Sequence, residues 1–156
     1  MKKNLPVLLT IILVVVIISF LAIKYTIEAT AISKLQIIVK NVQIQELKIS
    51  YTKLKLNIEI SNPTFEEIYQ LSADYNIFIA SSSIGKGNMD FTNIPAHTTK
   101  ETSTTTIIYF ANVTNAVIEA ITSQNFNLKI QGILYAKVLF GFLSISYDFS
   151  SGYSYS

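Results

Sequence analysis

The chain has 156 residues, half of them hydrophobic, with 12 basic and 10 acidic side chains for a net charge of +2. The basic residues are dispersed lysines, which excludes the clustered positive stripe that a nucleic-acid partner needs. Cysteine is absent, which excludes disulfides, thiolate catalysis and cysteine-type zinc sites together.

The first element is the run Leu5 to Ile23, which holds no charge and little polarity. At ~1.5 Å of rise per residue it extends roughly 28 Å, close to the ~30 Å hydrocarbon thickness of a bilayer. Lys2 and Lys3 precede the run and Lys24 follows it; Pro6 falls in the first turn, where a missing N–H costs little. A cleaved secretory signal has a shorter apolar stretch, about 7–15 residues, so a retained anchor is expected. Ala29-Thr30-Ala31 has the small-x-small form that a signal peptidase accepts, which leaves cleavage after Ala31 as the competing reading. The lipid bilayer, through residues 5–23, is thus the expected partner. Lysines on the two sides nearly balance. The sequon Asn112-Val113-Thr114 and the Ser/Thr/Asn-rich remainder favour a single-pass protein of the cell membrane with its C-terminal domain outside the cytoplasm.

Residues 24–33 read as a connector that can prolong the helix, so that 1–33 forms the anchor and connector. From Lys34 the period becomes two, the mark of a half-buried strand. Val42 and Ile44 share a phase that slips at Gln45-Glu46. In 53–61, Leu54, Leu56, Ile58 and Ile60 oppose Lys53, Lys55, Asn57 and Glu59. In 71–79, Leu71, Ala73, Tyr75, Ile77 and Ile79 share one face, and Phe78 is the aromatic on the polar parity. Strands over 84–91 and 102–110 are expected next, with turn chemistry at Gly85-Lys86-Gly87 and around Pro95.

Val113, Val117, Ile118 and Ile121 recur at helical spacing, with Asn112 as the expected N-cap of a short helix that covers one open end of the fold. Phe126, Leu128 and Ile130 mark a further strand. Val138, Phe140 and Phe142 then alternate before Leu143, Ile145, Tyr147 and Phe149 take the opposite parity. That slip reads as a β-bulge at Gly141. The Ser/Tyr-rich residues 150–156 read as a flexible tail. Many short strands, one short helix and no βα alternation predict an all-β fold: an antiparallel β-sandwich, with an open barrel as the alternative.

The order of these features resembles the LEA14-like family, the water-stress and hypersensitive-response domain of late embryogenesis abundant proteins. The resemblance spans residues 34–149. It rests on the alternating strand ending in Asn62-Pro63-Thr64, the following strand with Tyr75, Ile84-Gly85-Lys86-Gly87, Ile94-Pro95-Ala96 with its Thr-rich strand, the helix, and Ile130-Gln131-Gly132 before an aromatic closing strand. It implies a seven-stranded sandwich of immunoglobulin or fibronectin-III type with one helix, and a role in stress protection or membrane-associated binding. It brings no catalytic residues.

The residues that invite chemistry have simpler readings. His97 is the sole histidine and, without a second nitrogen or sulfur ligand, cannot make a tight zinc site. A Ser-His-Asp arrangement around it lacks any Gly-x-Ser-x-Gly elbow. Gly85-Lys86-Gly87 lacks phosphate-loop spacing. Glu66, Glu67, Asp74, Asp90 and Asp148 show no calcium-ligand series and read as solvated surface. Asn62-Pro63 reads as a sharp strand end. No catalytic, cofactor-binding or metal-binding residue is therefore assigned, and neither a nucleic acid nor a small-molecule substrate is implied. The expectation is a membrane-anchored, non-catalytic binding or stress-protection domain. An accessory subunit of a membrane or envelope complex, adding an edge strand to a partner's sheet, is the alternative.

Overall fold

The computed structural model describes residues 5–156, so the basic flank Lys2-Lys3 lies outside the described residues. Helix α1 (Leu5–Ser33) runs unbroken through the apolar stretch and the connector. Its residues up to Ile23 stand exposed, whereas Glu28, Ala31 and Ile32 are buried against the strands. Seven strands follow: β1 (Gln36–Leu47), β2 (Tyr51–Ser61), β3 (Ile68–Ile79), β4 (Ser82–Ile94), β5 (Thr99–Tyr109), β6 (Phe126–Val138) and β7 (Leu143–Tyr155). Helix α2 (Asn115–Thr122) joins β5 to β6. Three strands form one sheet in the order β1-β2-β5, and four form the other in the order β4-β3-β6-β7. Every neighbouring pair is antiparallel, giving the β-sandwich that the alternation predicts.

The periodicity explains the two central strands directly. Leu54, Leu56, Ile58 and Ile60 of β2 are fully buried, and Leu71, Ala73, Tyr75, Ile77 and Ile79 of β3 face them from the other sheet. The phase slip in β1 is a bulge at Gln45: Ile44 pairs with Leu54 and Glu46 already with Lys53. Polar links close the β1–β7 side, where the Val39 N–H donates to Ser151 Oγ at 3.0 Å and the Tyr153 hydroxyl to Asn41 Oδ1 at 3.4 Å. On the opposite side the Lys100 ammonium donates to the Asn93 carbonyl, tying β5 to β4.

Four local expectations need correction. The β3–β4 turn lies at Ala80-Ser81, both at positive φ, not at Gly85-Lys86-Gly87, which sits inside β4 beside a bulge at Ile84. Gly141 belongs to no bulge: Leu139–Phe142 is the hairpin turn from β6 to β7, and a turn between strands changes parity as readily as a bulge does. Residues 150–155 are no flexible tail but the second half of β7, paired from Ser150↔Gln131 to Tyr155↔Phe126, with those last two rings stacked at 4.9 Å. Their Ser/Tyr alternation is itself a strand pattern, concealed by low complexity. The N-cap of α2 is Thr114, not Asn112, which lies in a preceding 3₁₀ turn. The helix ends in a Schellman arrangement, with the N–H of Gln124 on Ile121 O and that of Asn125 on Ala120 O. Val117 and Ile121 bury its apolar face over the end of the sandwich far from α1.

One row crosses the four-stranded sheet on its inner face: Gly87, Tyr75, Gly132 and Phe149. The Tyr75 ring occupies the space a Gly87 side chain would fill, and Phe149 meets it edge-on at 6.5 Å. Among the described residues, the buried Tyr75 hydroxyl makes no well-formed hydrogen bond. Burial raises the phenol above its ordinary value of 10.0, while the Thr104 hydroxyl pulls the other way. A raised folded-state value favours the neutral phenol, so this stability is intact below pH 10 and is lost as the pH climbs beyond it. Tyr75→Phe is expected to keep the packing and stabilise the chain by up to about 1 kcal/mol. Denaturant unfolding measures the gain, and the late component of the tyrosinate absorbance titration should vanish.

Candidate functional site

The strand directions place three connections at the α1 end of the sandwich: residues 62–67, 95–98 and 139–142. The site is built where these meet the last turns of α1. Glu28, four residues beyond Lys24 and therefore on the same helix face, receives the Lys24 ammonium at 2.8 Å. Its other oxygen accepts the Leu139 N–H at 2.6 Å. The Tyr147 hydroxyl donates to the Ala29 carbonyl at 3.2 Å, and Ala31 and Ile32 complete the seal. The Lys24 ammonium also lies 4.9 Å from the centre of the Phe140 ring. These contacts surround a cavity of about 430 Å³ lined by Lys24, Glu28, Tyr69, Lys137 and Phe140.

The hairpin that Glu28 grips is conformationally costly. Leu139 and Phe140 adopt φ of +51° and +59°, a region that bulky side chains rarely enter. Removing the carboxylate with Glu28→Ala leaves the Leu139 N–H and the Lys24 ammonium without their partner. The expected cost is about 1–2 kcal/mol, concentrated at this junction. Faster hydrogen exchange at Leu139 and easier proteolysis of 139–142 check it.

On the other side of α1, Asn62 is fully buried and holds two loops together. Its Nδ2 donates to the carbonyls of Glu66 (2.7 Å), Pro95 (3.1 Å) and Ile94 (3.3 Å). Its Oδ1 accepts from the Thr64 N–H and hydroxyl at 3.1 and 2.7 Å. The strand-ending reading of Asn62-Pro63 is thus sound but incomplete, because the side chain also fixes the corner against the Pro95 turn.

The other residues weighed from sequence are not gathered into one centre. His97 is exposed in the Pro95 turn, its ring edge-on to Phe65 at 4.3 Å. Asp74, Asp90 and Asp148 are exposed on the outer face of the four-stranded sheet, with Ile133 between Asp74 and Asp148 in their row. Glu67 sits beside Tyr69, and its carboxylate holds that phenol above its usual range. Phe78 is half-buried, and Asn112 is exposed at the end remote from α1. Sequence reasoning missed the Glu28 grip. Its visible signal is an acidic residue four positions after a lysine in an otherwise uncharged helix.

No family model matches the chain, and no curated protein matches it. Among solved structures, the solution structure of AT1g01470 from Arabidopsis thaliana, a LEA14 protein, is 14% identical. That alignment covers 74% of this chain and 77% of the plant protein, with a TM-score of 0.56. A protein from Archaeoglobus fulgidus is 7% identical over 78% of this chain and 96% of its own, with a TM-score of 0.42. A β-glucuronidase from Bacteroides uniformis is 10% identical over 73% of this chain and 14% of its own, with a TM-score of 0.44. At such identities the likeness to the plant LEA14 protein shows a shared fold: the sandwich carried at the end of α1 is LEA14-like in architecture.

Proposed function

We propose that the chain is a membrane-anchored, non-catalytic binding domain that acts in stress protection outside the cytoplasm. The observation that carries this reading is the form of α1. Its last turns are packed into the sandwich while residues 5–23 project as an exposed apolar rod of bilayer length. Such a surface is stable in lipid and costly in water. The likeness in fold to the plant LEA14 protein supports the stress-protection part, in which the domain associates non-covalently with lipid headgroups, envelope proteins or exposed apolar segments.

Carbonate washing of membranes, with protease added to intact cells, tests the anchoring. The chain should stay in the membrane fraction and its sandwich should be cut from outside. A freely soluble polypeptide beginning just after Ala31 would overturn it. Loss of survival under drying, heat or osmotic shock on deletion is the result expected of a stress role. Recovery of a stoichiometric partner in mild detergent would instead favour the accessory-subunit reading.

A further inference from the structure

We infer, on the basis of the anchored reading above, that the α1 end of the sandwich is a lipid-docking surface. Phe65, Phe140 and Phe142 seat in the interfacial layer of the bilayer that α1 spans. Three observations carry this. The first is exposure: Phe65, Phe140 and Phe142 are 87%, 69% and 84% exposed, with only His97 against Phe65 and Lys24 against Phe140 as named ring contacts, and Leu143 beside them is 48% exposed. Apolar side chains clustered at one end of a domain mark an interaction surface.

The second observation is their level along α1. Phe140 lies against Lys24, the first residue after the apolar run. Phe65 shares a groove with Thr26, Ile27 and Thr30, and Glu66 shares one with Phe20, Ile23 and Ile27. At ~1.5 Å per residue, these loops overlap the last turn of the span and the turns just beyond it. A bilayer that encloses residues 5–23 therefore ends against these rings. Lys24 and Glu66 mark the edge of the hydrocarbon, and Tyr69 and Lys137, which line the same cavity as Lys24, lie at headgroup depth, as membrane-interface residues are arranged.

The third is the strained hairpin. Leu139 and Phe140 adopt positive φ in a turn whose Leu139 N–H is tied to Glu28, and in this conformation Phe140 and Phe142 stand outward rather than in the core. The occupant is the lipid to which the apolar helix leads, since the exposed Ile27 of α1 shares one groove with Phe20 and Ile23 of the span and another with Phe65.

The chain contains no tryptophan, so single replacements report on position. Full-length Phe142→Trp and Phe65→Trp, reconstituted in phosphatidylcholine vesicles, are compared with Ile49→Trp, whose site is fully exposed in the β1–β2 turn at the far end. The first two should show blue-shifted emission, quenching by brominated lipid and severalfold weaker quenching by acrylamide than Ile49→Trp. Phe142→Ser, which removes an exposed ring outside the Lys24 contact, should raise the acrylamide quenching of Phe65→Trp. If protein that floats with the vesicles gives all three reporters equal acrylamide quenching, docking is overturned while anchoring stands. Protein that fails to float overturns the anchoring reading and docking with it. Protection that disappears when protein is diluted into excess lipid assigns the patch to a second copy and also overturns the proposal.

Discussion

Replacing Asn62 with alanine is expected to cost about 3 kcal/mol of folding stability, because one buried side chain satisfies two loops at once. The substitution strands the Ile94, Pro95 and Glu66 carbonyls and the Thr64 amide together. The Glu66 and Pro95 groups lie near solvent and recover water. The Ile94 carbonyl, bonded to Asn62 within the core, recovers less. Asn62→Asp should be worse than alanine, since a carboxylate in a fully buried site would face carbonyl oxygens with no proton to offer them. Denaturant unfolding of the detergent-solubilised chain, followed by tyrosine fluorescence, measures both. Equal stability of the wild type and Asn62→Ala would show that the two loops hold their places without this side chain.

A second large loss is expected at Gly132. A Cβ added there would lie 2.0 Å from the Asp74 carbonyl oxygen and 2.7 Å from the Tyr75 Cα, both backbone atoms of the neighbouring strand. Backbone in the middle of a paired sheet cannot move aside as a side chain can, so Gly132→Ala should cost about 3 kcal/mol through displaced pairing between β3 and β6. Gly87→Ala supplies the internal comparison. Its added methyl meets the Tyr75 side chain, 2.3 Å from Cζ, rather than paired backbone, and a side chain can tilt about χ1 where a strand cannot, so the loss should be smaller. The two variants unfolded side by side check the ordering, and amide exchange in β6 should quicken only for Gly132→Ala.

The central strands were legible because burial on one face imposes a period of two on the residues. Leu54 to Ile60 and Leu71 to Ile79 could be assigned to the core without coordinates for that reason. The slip at Gln45 was legible on the same grounds. At Gly141 the same signal misled, because a parity change records a break in pairing and does not distinguish a bulge from a four-residue turn. Ala80 and Ser81 gave little warning of the β3–β4 turn: neither is a favoured left-handed residue, and the nearby Gly85 and Gly87 drew attention instead. Those glycines answer to packing against Thr106 and Tyr75, a tertiary demand that local chemistry does not display. The junction was hidden for a related reason. Glu28 and Leu139 are 111 positions apart, and only the folded sandwich brings them together.

The way α1 enters the sandwich also limits how the domain moves. Its final turns are gripped by Glu28, Tyr147 and Ile32 instead of loosening into a tether, so a chain held in lipid cannot pivot about its own foot. Strands of 12 to 13 residues at ~3.3 Å each place the distal hairpins and α2 roughly 40 Å above that foot. On the proposed anchored reading, a partner of the distal end meets the domain at that altitude, and drift in the plane of the lipid carries the domain toward it.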